Sequence, residues 1–362
     1  MPYWQQREVI MKIAQIAPLT ESVPPTLYGG TERVVSYLTE SLVQMGHEVT
    51  LFASGDSVTD AKLEAIWPRA LRRDPSIRDP IAPHMLMLER VRQLAPEFDI
   101  VHSHLHFYPF SIFKRQDTPF VTTLHGRLDL PEHQSLYEAF DDVPLISLSM
   151  GQRRYLPGGN WIGNVPYGLP EWLYRPQPIA PSYLAYLGRI SPEKRLDRAI
   201  KIAGRCGLPI KIAAKIDVAD RLYFETEIAP LLKLPHVEYI GEIRNSDKAA
   251  FLSGAHALLS PIDWPEPFSL AMVEAMACGT PVISFKRGAV GEVLRDGETG
   301  FIVEDEIGAI AAVDKLPGLS RSHIRRHFEQ HYTAHHMAQR YLDVYHAAAR
   351  AQRKAQLRLI TD

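Results

Sequence analysis

The segment DWPEPFSLAMVEAMACGTPVIS, residues 263–284, carries two carboxylates eight positions apart, Glu266 and Glu274. Pro265 and Pro267 bracket Glu266 and hold it in a loop, because proline fixes φ and has no backbone N–H to give a helix. A helix is expected to start near Phe268, which puts Glu274 about two turns in. Free N–H groups at Phe268, Ser269 and Leu270 would then lie between the two acids, at the positive end of the helix dipole. That edge could read a sugar hydroxyl, a phosphate and a ribose in order. The plainer reading is an amphipathic helix with one exposed acid. Yet Glu274 sits among Met272, Val273, Ala275 and Met276, and a carboxylate in so apolar a stretch needs a partner.

Positive charge recurs in LGRISPEKRLDRAI, residues 187–200. Arg189 falls at the end of an apolar run, and Lys194 and Arg195 open the next helix. Cations at a helix start oppose its dipole, so a bound anion would compensate. A forked guanidinium with a compact ammonium suits a diphosphate; a solvated basic turn is the bland alternative. In YGGTERVVSYLTESLVQMGHEV, residues 28–49, Gly29 and Gly30 precede a helix marked by the stripe Val34, Val35, Leu38, Leu42 and Met45. The two glycines allow either a close backbone approach to an anion at the helix N-terminus or only a tight turn. His125, in TLHG, lies at the end of a strand. His102, His104 and His106 alternate along VHSHLHFYPF, which on one strand face would suit a metal or a cleft lining. Trp67 with Arg69, Arg72, Arg73 and Arg78 reads as a solvated loop, or as a contact with an anionic acceptor or lipid surface.

These residues need a scaffold of alternating strands and helices. Candidate strands are Lys12–Ala17, Glu48–Ala53, Asp99–His102, Phe120–Leu124, Pro144–Leu148 and Trp161–Val165. After the proline-rich stretch PEWLYRPQPIAPS, the pattern restarts at Tyr183–Leu187, Ile210–Ala214, Val237–Ile240, Ala257–Leu259, Pro281–Ser284 and Gly300–Val303. Helices are expected at Pro192–Cys206, Asp247–Ala255, Phe268–Ala277 and Thr333–Arg350. The alternation predicts an α/β fold of two Rossmann-like domains with mostly parallel sheets facing across a deep cleft, ligands binding beyond the carboxyl ends of the strands.

Composition narrows the classes. Over 362 residues, 40 Lys and Arg against 42 Asp and Glu give a net charge of −2, which argues against a nucleic-acid partner. The 2 cysteines supply no disulfide framework or multi-cysteine zinc site. No apolar run reaches the roughly 18 residues of a membrane span. Residues 1–10 lack a signal-peptide core, so a cytoplasmic setting is expected, with Met11 a candidate start. GxGxxG, GxxxxGK[ST] and DxD are all missing, which disfavours simple dehydrogenase, P-loop and carboxylate-clamped metal readings.

GGTE, TLHG, GRISPEK, the E-x7-E of EPFSLAMVE and the EAMACGTPVIS that continues it stand in that order along the chain. Over nearly its whole length it resembles the retaining glycosyltransferases of family 4, which have the GT-B fold. The resemblance implies a first, acceptor-binding domain over residues 1–170 and a donor domain over 171–332. Residues 333–362 would form a helix crossing back to the first domain. It implies that Gly30, beside Gly29, gives its N–H to the donor phosphate, and that Arg189 and Lys194 neutralise the diphosphate with no metal or other cofactor. Glu266 would hold the sugar hydroxyls beside Phe268, Ser269 and Leu270, and Glu274 the ribose. His125 would stand near the anomeric carbon, and Glu242, Ile243 and Arg244 near the base. Three departures stand out: Tyr167-Gly168 where Asn-Gly is common, EPFS in place of EPFG, and Gly291 where proline is common. The implied activity is transfer of a hexosyl group from a nucleotide-diphosphate sugar, UDP-linked ahead of GDP-mannose, to a saccharide or glycolipid acceptor. Peripheral membrane contact would suit the latter. A nucleotide-sugar epimerase or hydrolase of the same fold, and a non-catalytic nucleotide-sugar binder, are the competing readings.

Overall fold

The computed structural model describes residues 9–361. The sequence question over the first residues therefore lies largely outside the described ones. Two parallel sheets dominate. The first has seven strands: β1 (Lys12–Ile16), β2 (Glu48–Ser54), β3 (Lys62–Trp67), β4 (Ile100–Ser103), β5 (Phe120–Thr123), β6 (Leu145–Ser147) and β7 (Trp161–Asn164), in the order β3-β2-β1-β4-β5-β6-β7. The second has six: β8 (Tyr183–Ile190), β9 (Ile210–Ile216), β10 (Val237–Gly241), β11 (Ala255–Ser260), β12 (Val282–Phe285) and β13 (Gly300–Val303), in the order β10-β9-β8-β11-β12-β13. Ile13, Ala14 and Ile16, like Leu258, Leu259, Val282 and Ile283, are buried, as strands covered on both faces require. In each sheet the strand order reverses beside the first strand, at β1/β4 and at β8/β11. Crevices open beyond those strand ends, and the two crevices face each other.

Strand β3 was not foreseen. It is an edge strand whose mixed sequence, KLEAIW, leaves every residue at least partly exposed, so it lacks a core strand's apolar signal. Residues 65–67 therefore belong to a strand rather than a loop. Trp67 packs on the core and donates to Asp74 at 3.2 Å.

The helices that serve the cleft are α1 (Gly30–Gln44), α2 (Leu196–Arg205), α3 (Asn245–Ser253), α4 (Leu270–Ala277), α5 (Arg321–His331) and α6 (Ala334–Thr361). The single helix expected over 192–206 is broken. Pro192–Lys194 forms a separate turn, and Arg195 adopts a left-handed φ of 52° before α2 begins. Its guanidinium is held by Asp197 at 2.9 Å and Asp263 at 3.0 Å, which anchors the break. Helix α6 returns to the first sheet: the hydroxyl of Tyr345 bonds Gln15 on β1, and that of Tyr341 lies 3.1 Å from Thr123 on β5. The chain crosses itself at Gly168, where a Cβ would stand 2.2 Å from the Thr333 carbonyl, so only glycine fits.

Candidate active site

Between the sheets lies a cavity of about 510 Å3. Its second-sheet wall begins at the end of β8. Arg189 donates to Glu193 at 2.5 Å and lies 3.5 Å from Asp220. Burial opposes the Arg189 charge, but Glu193 and Asp220 outweigh it and hold the group above its ordinary pKa. Lys194 pairs with Glu266 and stands 5.0 Å from the centre of the Trp264 ring, while the Trp264 indole N–H donates to the same Glu266 oxygen at 3.0 Å. Glu266 is thus oriented by an ammonium and an indole. The turn after β12 supports it from behind. Gly288 has a φ of 50°, and a Cβ there would stand 2.3 Å from the Glu266 carbonyl, which accepts from the Ala289 N–H at 2.9 Å.

Helix α4 begins at Leu270, two residues later than the sequence suggested. Phe268 and Ser269 are the extended approach to it, and Ser269 makes no side-chain cap. The free N–H groups accordingly shift toward Leu270 and Ala271, which both line the cavity. Glu274, one turn in, is 2% exposed and does have partners: Lys248 on α3 donates at 2.6 Å, and the Tyr174 hydroxyl lies 3.3 Å away. Burial lowers the Lys248 pKa, with Glu274 opposing.

The first-sheet wall contributes Gly29 and Gly30. Gly29 has a φ of 154°, and a Cβ there would press on Pro25 at 2.8 Å. Gly30, the first residue of α1, has nothing within 4 Å of where a Cβ would stand, so its space faces the cavity. Two residues on, Glu32 and Arg33 are 6% and 4% exposed and both line the cavity. Burial raises the Glu32 pKa to about 7. Arg33 gives Nη2 to the Leu27 carbonyl, while its buried Nη1 has no hydrogen-bond partner among the described residues. His125 follows β5 and lines the cavity beside Gly126, where a Cβ would collide with the His106 ring at 2.7 Å. Burial, then His104 and His106, push the His125 pKa well down, so the ring is neutral.

Of the sequence candidates, Gly29, Gly30, His125, Arg189, Lys194, Glu242, Ile243, Glu266, Phe268, Ser269, Leu270 and Glu274 therefore line one cavity. Arg244 does not. It is the exposed N-cap of α3. The three alternating histidines do not share a strand face, because β4 ends at Ser103 and His106 takes a φ of 53°. His102 and His104 are buried behind the cavity. Among the described residues no group of three His, Cys, Asp or Glu is arranged to hold a metal ion. In the basic segment, Arg69 faces Asp74 at 3.8 Å, Arg72 faces Glu21 at 2.6 Å and Arg73 faces Asp56 at 4.0 Å. Among the described residues no helix is long and apolar enough to cross a membrane. Sequence reasoning missed Lys248, Tyr174, Trp264, Glu32, Arg33 and Tyr167; the isolation of Glu274 among apolar residues was the one signal that a hidden cation existed.

Residues 176–327 match the family model described as Glycosyl transferases group 1, and residues 28–162 match Glycosyltransferase Family 4. The chain belongs to glycosyltransferase family 4. Its arrangement of two facing Rossmann-like units is the GT-B fold, and it is a transferase. A glycogen synthase of Mycobacterium tuberculosis is 27% identical over 346 residues, covering 80% of this chain and 83% of that one. A phosphatidyl-myo-inositol mannosyltransferase of Mycolicibacterium smegmatis is 26% identical, covering 84% of each. Among solved structures, AviGT4, a glycosyltransferase involved in avilamycin A biosynthesis, superposes with a TM-score of 0.70 at 23% identity, covering 94% of this chain and 98% of that one. Anabaena HepE in complex with UDP and glucose superposes with a TM-score of 0.71 at 18% identity, covering 92% and 98%.

Proposed function

We propose that this glycosyltransferase moves a hexosyl group, with retention of configuration, from a nucleotide-diphosphate sugar to a saccharide or lipid-linked acceptor. UDP-sugars come ahead of GDP-mannose. The carrying observation is the convergence of Arg189, Lys194 and the uncapped N-terminus of α4 on one cavity, with the open space at Gly30 opposite. Breaking the bond between the anomeric carbon and the β-phosphate leaves negative charge on the diphosphate. Preorganised cations and N–H groups in a half-enclosed site stabilise that charge as it develops. In the reaction the acceptor oxygen bonds to the anomeric carbon on the face the diphosphate leaves, and the acceptor's proton passes to the departing phosphate oxygen. Glu266 would hold the sugar hydroxyls while Lys194 bridges it to the phosphate, and Glu274 would hold the ribose. The UDP named with HepE and the mannosyl transfer named for the mycobacterial relative support the two donor classes.

The test is a panel of nucleotide sugars, read first by thermal shift and then by nucleoside-diphosphate release with and without glucan and glycolipid acceptors. Acceptor-dependent release with an axial-to-axial product by NMR from an axial donor is expected. Epimerised or free sugar formed without acceptor would favour the epimerase or hydrolase reading. Binding without turnover would favour the non-catalytic one.

A further inference from the structure

A continuous line of polar side chains runs from His125 away from the cavity to helix α6. His125 Nε2 lies 2.8 Å from His104 Nδ1, and His104 Nε2 lies 2.9 Å from Gln15 Oε1. Gln15 Nε2 donates to the Tyr345 hydroxyl at 2.9 Å, which lies 2.6 Å from His102 Nδ1. His102 Nε2 lies 2.7 Å from Thr123 Oγ1. On the cavity side, His125 Nδ1 lies 2.8 Å from the Tyr167 hydroxyl, whose ring also packs edge-on against Phe268 at 5.1 Å.

The Gln15 amide gives this line a direction. Its oxygen only accepts, so His104 carries its proton on Nε2. In the neutral ring Nδ1 then accepts, so the proton of His125 is on Nε2, and His125 Nδ1 accepts from Tyr167. On the other side the amide NH2 donates to Tyr345, Tyr345 donates to His102 Nδ1, and His102 donates to Thr123. With all three rings neutral, every donor along the line meets an acceptor. A proton added to His104 Nδ1 would set it donor to donor against the His125 Nε2–H in a buried site, which is costly. The far end closes on Tyr341 and Tyr345, both 0% exposed, so the line has no outlet there and holds protons rather than carrying them away.

We propose that helix α6 is coupled to the reaction centre through this line. Tyr345, Gln15, His104 and Tyr167 are positioning residues that lock His125 as the Nε2–H tautomer with both ring nitrogens engaged. His125 then meets the donor sugar with its ring edge and does not accept the acceptor's proton. The identity of that neighbour rests on the proposed function; the lock does not. Tyr167 stands at one of the positions where this chain departs from the family pattern, and its hydroxyl completes the lock.

The test uses the full chain with 15N-labelled histidine. The groups facing His125 are His104 and His106 from the loop after β4 and Tyr167 after β7, with Glu32 and Glu266 beyond Tyr167. The expected spectrum shows His125 as the Nε2–H tautomer, without titration from about pH 5.5 to 8.5. Tyr345→Phe is expected to mix the His125 tautomers and lower kcat on the order of tenfold to a hundredfold, with KM for donor within about twofold. Should Tyr345→Phe fail to fold, Tyr167→Phe removes the hydroxyl that faces His125 Nδ1 and is expected to shift that nitrogen's 15N resonance while Nε2 keeps its proton. A His125 that titrates near its free value, an Nδ1–H tautomer, or a spectrum unchanged in the variants would overturn the proposal. The NMR readout needs no donor, so it stands or falls apart from the activity assay.

Discussion

Charge is handled in opposite ways by the ion pairs of the second-sheet wall and by the histidines of the first. On the second-sheet wall ionised groups are kept and matched: Lys194 with Glu266, Arg189 with Glu193, Lys248 with Glu274. The first-sheet wall keeps Arg33 and the Arg72–Glu21 pair charged, but its histidines are neutral. Burial holds His102, His104 and His125 well below the ordinary histidine range. A wall that must stabilise a departing diphosphate needs cations already in place, with carboxylates to keep them there in the empty state. A wall that must orient a sugar and exclude water is better served by fixed neutral donors and acceptors, which need no rearrangement of ions as the cleft fills.

The largest expected effect breaks the charged wall. Lys194→Ala removes the ammonium that faces Glu266 and, in the proposed reaction, the diphosphate. Loss of one preorganised electrostatic contact of this kind lowers kcat by roughly a hundredfold to a thousandfold. Thermal unfolding should change less than for a fully buried pair, because Lys194 is partly exposed and the Trp264 N–H still donates to Glu266. Near-normal turnover in a folded Lys194→Ala protein would remove the diphosphate assignment.

Glu274 sharpens the same contrast, because here the ion pair is buried. Removing one partner of a buried pair costs about 3–5 kcal/mol, since the remaining charge is left unpaired. Glu274→Leu should therefore lower stability sharply, with Lys248 and Arg33 left facing each other's charge. The double variant Glu274→Leu with Lys248→Met should recover much of that loss in a chemical denaturation series, while nucleoside-diphosphate binding stays weak. Recovery of binding along with stability would mean that Glu274 serves the fold and not the ribose.

The contrast also explains what could be read in the sequence. Glu266, Glu274, Arg189 and Lys194 were legible because their meaning is local: prolines, a helix start and a strand end lie within a few residues of each. The α/β alternation was legible for the same reason, and twelve strands carry apolar runs that the unforeseen β3 lacks. The neutral histidine line was not legible. Gln15 and Tyr345 are 330 positions apart, and His104 and His125 are 21 apart. Their partnership exists only once β1, β4 and β5 lie side by side and α6 crosses beneath them. The alternation of His102, His104 and His106 suggested one strand face because nothing in those residues announces that β4 stops at Ser103. Nor did the sequence show that Phe268, just before α4, packs against Tyr167 from the other wall.

Glu32 tests whether that neutrality extends beyond the histidines. Its pKa is raised by burial from 4.5 to about 7. Below the unfolded value both states hold the proton, and Glu32 costs nothing. Between 4.5 and about 7 the unfolded state releases the proton while the folded state keeps it, so stability falls as pH rises. Above about 7 the cost is complete, at about 3 kcal/mol for this shift. Glu32→Gln should therefore stabilise the protein at pH 8 and leave it unchanged near pH 4, as read by denaturation at both values. An equal gain or loss at both would show that folding leaves the Glu32 pKa unshifted.

The smallest effect is expected where the walls touch directly. Tyr28, in the loop before α1, reaches across the cleft so that Lys215, at the end of β9, stands 5.0 Å from the centre of its ring. A cation–π contact at a partly exposed site contributes about 0.5–1 kcal/mol. Tyr28→Ala should therefore loosen the closed arrangement by a factor of roughly two to five, raising KM for donor while leaving kcat nearly unchanged. Tyr28→Phe keeps the ring face and should behave as the parent. If Phe fails as Ala does, the Tyr28 hydroxyl binds donor itself, and this loop belongs with the groups that hold the diphosphate rather than with those that hold the cleft closed.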